Sequence, residues 1–292
     1  MLLDGNALNL ALILVNTRHW FTLGSRLIML LRTIPGGRIC ITQPAHAWVS
    51  GQLARTWGND QVGRFSPRED VCLAAEQHDI GWLSWEATPQ LNSETGYPYH
   101  FTELPIPTHM GIWADAKRLS LPFGRYVSLL VSLHGTGLYE RFTSWQQSRD
   151  RHLVEKFLQD EKAYQHELVG LLKTDFYYES SVSRSAIERN RQLIATWDWL
   201  SILVCIGFEG SKQVPGVPMA DGDQTLTLTS IRSNSSSDSE IITVAPWVFQ
   251  DDSVSLKVEG RVLYETQSSE TAMRRALDEA SWATLNIVLS PD

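Results

Sequence analysis

Several apolar stretches of helical period in this chain carry an imidazole or a carboxylate on the stripe that should face a core. The fold must therefore bring those groups together or bury them without partners. The adjacent pair His78-Asp79 constrains it most. Val71 and Ala75 precede it at helical spacing, which places His78 one turn on and facing inward. His46, Val49 and Leu53 share one face of a helix that Pro44 is suited to start. Val127, Leu130, Val131 and His134 form a third stripe, and Ile187, Ile194, Asp198, Ser201 and Cys205 a fourth. His109 enters a further helical segment, Thr108-His109-Met110-Gly111-Ile112-Trp113.

A carboxylate in so apolar a row needs a partner. Imidazole and carboxylate are the usual ligands of divalent iron, manganese and zinc, and a cation resolves the cost of burying them. Adjacent residues on a regular helix diverge by about 100°. His78 and Asp79 can serve one point only if the helix ends or bends there, and Ile80-Gly81-Trp82 suits such an ending.

Composition narrows the classes. The chain has 292 residues, 43% of them hydrophobic and 20% charged, with 11 Trp, as expected of a globular protein with a substantial core. A net charge of -8 argues against a general nucleic-acid binder, which needs a basic face. Cys40, Cys72 and Cys205 are far apart in apolar surroundings and read as buried thiols of a reducing, cytoplasmic compartment rather than as disulfides or a zinc knuckle. The apolar run from Leu8 to Val15 lacks a preceding basic region and meets Arg18 and His19, so neither export nor a membrane partner is expected.

Three parts are expected. Residues 1–35 match none of the later patterning and read as a poorly ordered extension. Residues 36–210 read as a helical domain, including a capping box at Ser66-Pro67-Arg68-Glu69 and charged or mixed helices near 144–173 and 185–208. After Gly207 come Thr225-Leu226-Thr227-Leu228-Thr229 with period two, a polar tract at 233–239, strand-like runs at 241–249 and 254–264, and a helix near 270–281. These make residues 211–292 a small β-rich subdomain packing on the helices.

His46, His78-Asp79, His109, His134 and Asp198, in that order, resemble the ligand series of the HD-domain superfamily. The two histidines between His78-Asp79 and the last aspartate are similar to its binuclear members. The resemblance implies a mainly α, HD-like helical bundle with a small C-terminal α+β tail. It also implies two divalent ions, iron, manganese or another transition metal. His46, His78, Asp79 and Asp198 would hold one, and Asp79 would bridge to a second on His109 and His134, with His100 or Asp115 as substitutes for His109. More closely, Gln43-Pro44-Ala45-His46-Ala47, Glu76-Gln77-His78-Asp79-Ile80-Gly81-Trp82, Leu104-Pro105 and Ser132-Leu133-His134-Gly135-Thr136 resemble a bacterial family known only as a domain of unknown function, DUF3891.

The expected chemistry is metal-dependent phosphohydrolysis of a small phosphate ester or nucleotide, with His78 and Asp79 as the catalytic pair. A diiron oxygenase and a non-catalytic helical binding protein are the alternatives. Gln43, Glu76 and Gln77 flank ligands and could orient imidazoles, and Thr136 could line the pocket. Lys117 and Arg118 are the nearest basic residues for a phosphate, against the plainer reading of a solvated helix face. Trp82, Trp85 and Trp113 could wall the pocket or simply fill the core.

Overall fold

The computed structural model describes residues 29–99, 104–231 and 239–292. Of the expected extension at 1–35, residues 1–28 lie outside them, as do the alternative ligand His100 and nearly all of the polar tract, whereas residues 29–35 are described and include a strand, Leu30–Ile34, paired into the large sheet.

Thr42 caps the first long helix through its side chain, which accepts from Ala45 N at 3.2 Å, and Pro44 sits in the first turn. The helices are α1 (Gln43–Thr56), α2 (Arg68–Gln77), α3 (Trp82–Glu86), α4 (Ile106–Ser120), α5 (Arg125–Arg141), α6 (Arg151–Lys173), α7 (Arg184–Ile206) and α8 (Glu270–Glu279). The capping box is not formed at α2. Pro67 occupies the N-cap, and the Ser66 hydroxyl faces Ser181 Oγ at 3.3 Å instead.

The strands are β1 (Leu30–Ile34), β2 (Gly37–Ile41), the short pair β3 (Leu91–Asn92) and β4 (Tyr97–Pro98), then β5 (Ser211–Met219), β6 (Gly222–Ile231), β7 (Ser239–Ala245), β8 (Val254–Leu263) and β9 (Trp282–Pro291). Seven of them form one mixed sheet in the order β1-β2-β8-β9-β7-β6-β5. Only the β7 and β9 pair within it is parallel.

This corrects the expectation of a mainly α, HD-like bundle with a small tail. The protein is an α+β structure built on a large sheet, and β1 and β2 join strands more than 200 residues away, with Ile39 opposite Val262. Such pairings satisfy backbone groups between distant segments and leave no local sign in either one.

Alternation along the strands shows how the layers close. Leu30, Ile39 and Ile41 face the main core, whereas Leu31 and Cys40 face Leu263, Met273 and Leu277, where α8 covers the far side. On the near face, Val49, Leu53 and Trp57 of α1 and Trp197 and Leu200 of α7 pack in one continuous core with Leu256, Val258 and Leu289 of the sheet. Fully buried Trp57 meets Trp197 and Phe249 edge to face, at 5.8 and 5.3 Å between ring centroids. No helix among the described residues is long and apolar enough to cross a membrane.

One glycine is fixed by a close approach. A Cβ on Gly81 would lie 2.2 Å from the Ile112 carbonyl oxygen of α4, a backbone atom that cannot swing aside. Gly81→Ala is therefore expected to cost about 1–3 kcal/mol, as overpacking does. Urea denaturation of the two proteins measures it.

Candidate metal centre

Helix α2 ends at Gln77, and His78 is its C-cap. The next residues tighten: Ile80 N bonds to Gln77 O and Trp82 N to Asp79 O, both at 3.0 Å and both three residues apart. A three-residue turn rotates successive side chains differently from an α-helix. His78 and Asp79 thereby share one site, the ending that their adjacency demanded.

Four elements converge there. His46 Nε2 lies 2.6 Å from Asp79 Oδ2. His78 Nε2 lies 3.5 Å from Asp79 Oδ2 and 3.4 Å from Asp198 Oδ1, and His134 Nε2 is 3.6 Å from Asp198 Oδ2. All five residues are buried. His46, His78 and Asp79 form one group able to hold a metal ion, and His78, His134 and Asp198 another.

The outer hydrogen bonds show that the donor set fits a cation. His78 Nδ1 lies 2.7 Å from the Ala75 carbonyl, which can only accept, so that nitrogen carries a proton. At His46, Nδ1 lies 2.8 Å from Ser201 Oγ. Ser201 directs its hydroxyl proton to the Asp198 carbonyl at 2.7 Å and accepts from Ser50 Oγ at 3.0 Å, so it also accepts from His46.

In the neutral rings both Nε2 lone pairs then point at carboxylates, acceptor against acceptor. His78 Nε2 is buried and has no hydrogen-bond partner. This is how metal-binding histidines are held, with the outer N–H fixed and the inner lone pair free.

Charge shifts follow the same geometry. Burial disfavours an imidazolium at His78, but Asp79 and Asp198 outweigh it and raise its pKa well above the ordinary range. Burial likewise works against ionising Asp79 and Asp198, yet the surrounding histidines hold both below the usual carboxylate range. His134 is pushed down to about 4 by burial and by the charge on His78.

The model of a protein of unknown function, DUF3891, matches residues 29–265, most of the chain. The chain belongs to this family. No curated protein and no solved structure matches it, and no comparison links it to the HD-domain superfamily. The matched span runs from the start of β1 to just past β8, so the DUF3891 region holds the candidate ligand cluster and six strands of the large sheet.

Other expected residues sit elsewhere. His109 lies outside both ligand groups: its Nδ1 is 2.6 Å from Tyr139 Oη, and its Nε2 accepts from Trp113 Nε1 at 3.1 Å. Burial lowers its pKa to about 4, against the pull of Asp79. Asp115 is exposed and pairs with Arg118 at 3.2 Å. Lys117 pairs with the buried Glu161, whose other oxygen accepts from Ser132 Oγ at 2.6 Å. Thr136 is buried and accepts from Gln165 Nε2 at 3.2 Å. Glu76 pairs with Arg55 at the surface, and half-buried Gln77 closes α2. Gln43 is buried, and its backbone N–H donates to Glu86 Oε1 at 2.8 Å.

Trp82 and Trp113 are buried core residues packed against the His109 ring, at 5.8 and 6.1 Å. The three thiols are free and buried, with pKa values raised by burial to about 12, 11 and 12 for Cys40, Cys72 and Cys205, too high for nucleophiles.

Ser50, Ser201, Tyr139 and Glu86 were not anticipated as site residues. A sequence signal existed for the serines: Ser50 follows His46 by four residues and Ser201 follows Asp198 by three, each on the ligand's own face. Glu86 had none, because it reaches α1 from a different helix. Its Oε2 is buried and unpartnered, and burial followed by the Asp79 charge raises its pKa well above normal. It also lines a cleft of about 620 Å³ between α1, β8 and α8, which includes none of the candidate ligands.

Ser201→Ala removes the acceptor that fixes the His46 ring. Metal affinity is expected to fall about 10- to 100-fold while the fold persists. Competition with a metal chelator measures the affinity, and circular dichroism the fold.

Proposed function

We propose that this protein is a metal-dependent phosphohydrolase acting on a small phosphate ester or nucleotide. The observation that carries the reading is the pinning of two imidazoles, His46 by Ser201 and His78 by Ala75, with their inner nitrogens turned to Asp79 and Asp198. His46, His78 and Asp79 would hold one ion and His78 or His134 with Asp198 a second, in the two overlapping groups. Metal ions bound there would supply positive charge that acidifies water and neutralises phosphoryl oxygens.

The chain's own residues do the rest. Asp79, next to His46 and His78, and Asp198, between His78 and His134, would supply the negative charge that holds the ions beside these imidazoles. Ser50 and Ser201 keep the His46 ring in one orientation through the reaction cycle. Trp82, Trp113 and Tyr139 surround His109 beside the cluster and exclude bulk water from that side.

The test loads purified protein with manganese, iron or zinc and measures phosphate release from a panel of phosphate monoesters and nucleotides, wild type beside His46→Ala. Metal-dependent release lost in the variant supports the reading. A loaded protein that releases no phosphate from any member rejects it. Iron retention with substrate-dependent oxygen uptake would then favour the diiron oxygenase on the same ligands, and a protein that takes up no metal would favour a binding role.

A further inference from the structure

The side chains that bind the substrate anion should carry positive charge that no protein carboxylate has already taken. Lys117 and Arg118 of α4 and Arg189 and Arg191 of α7 are already engaged. Lys117 is held by Glu161, Arg118 by Asp115, Arg191 by Glu140 and Glu188, and Arg189 is spent on the carbonyls of Val62 and Met219.

Arg141 carries such an untaken charge. It lies in the last turn of α5, seven residues and two turns after His134, so it shares the face that presents the His134 ring. The packing of α5 on α7 fixes its neighbourhood. His134 meets Asp198, Glu140 meets Arg191, and a Cβ on Gly137 would sit 2.9 Å from the Arg191 guanidinium, so the two helices run antiparallel with Arg141 beyond the last rung. The residue reaches solvent, while the packing around its guanidinium lowers its pKa through burial, and it makes no hydrogen bond or ion pair among the described residues. Its charge still reaches both Asp198 and His134.

We infer that Arg141 is the substrate's anion-binding residue, gripping the phosphate of a phosphate monoester whose phosphorus lies over the Asp198 and His134 side of the cluster. A guanidinium suits that role because its planar fork binds two phosphate oxygens at once. The plainer account, a cation that merely complements the C-terminus of α5, predicts a small effect on stability and none on anion affinity. The inference rests on the phosphohydrolase reading for its substrate class, and its test is separate from turnover.

Inorganic phosphate is titrated calorimetrically into metal-loaded wild type, Arg141→Gln and Arg141→Lys, with metal content measured on each sample. The expected result is unchanged metal content with phosphate affinity reduced about 10- to 100-fold in Arg141→Gln, the scale of a charge-assisted bidentate contact, and partly restored in Arg141→Lys. Equal affinity in wild type and Arg141→Gln overturns the inference, as does a loaded wild type that binds no phosphate. Tight, Arg141-dependent phosphate binding in a protein that hydrolyses no phosphate ester rejects the hydrolase reading alone and leaves the anion site standing.

Discussion

Asp79→Ala is expected to lose nearly all bound transition metal, with affinity falling by more than about a hundredfold. Loss of an outer hydrogen-bond partner alone costs 10- to 100-fold, and Asp79 is a direct member of the cluster. Its carboxylate is the group toward which both His46 Nε2 and His78 Nε2 are turned, at 2.6 and 3.5 Å. Without it, two imidazoles converge with only Asp198 to balance them, and a divalent ion would meet a site short of negative charge. Elemental analysis of gently purified wild type and variant gives the measurement. A variant that keeps wild-type metal would show that the ions, if any, bind elsewhere. Asp115→Ala is the matched control, because that carboxylate is exposed and paired with Arg118.

Trp57→Ala is expected to destabilise the protein by about 3–5 kcal/mol, the range for emptying a large aromatic site in a core. That is a large share of a typical folding free energy of 5–15 kcal/mol. Trp57 ends α1, and its fully buried ring touches Trp197 of α7 and Phe249 after β7. The backbone joins helix and sheet at the same place: Gly58 N donates to Val248 O, and Gln250 N to Thr56 O, each at 2.9 Å. The indole nitrogen has no partner, so the loss is one of packing alone. Chemical denaturation followed by far-ultraviolet circular dichroism measures the change. Because one core spans helices and sheet, helical and strand signals should vanish in a single transition. Strand signal that outlasts the helices would show that the two layers fold independently.

The inward placement of the clustered imidazoles and carboxylates was legible because each lies on or beside an apolar helical stripe, and a polar group there is an anomaly that local periodicity exposes. The bend after His78 was legible for the same reason, since adjacent ligands on one helix cannot otherwise meet. The state of His109 was not. On its helix it resembles the others, and only Tyr139, brought in from α5, and Trp113, one turn along, occupy its two nitrogens. Lys117 likewise looks free in sequence, and its counter-charge, Glu161, comes from 44 residues away.

Sequence alone determined what is local in this protein: which faces of α1, α2, α5 and α7 turn inward, which imidazoles and carboxylates lie on them, and that β6, β7 and β8 would be extended. Tertiary structure decided everything that depends on pairing. The seven-stranded sheet exists because β2 finds β8 and β7 finds β9, and main-chain hydrogen bonds between distant segments are nearly indifferent to side-chain identity. The cluster's electrostatics were decided in the same way. A histidine's inner lone pair is available only once its outer N–H has found an acceptor, and for His46 that acceptor is Ser201, 155 residues along the chain.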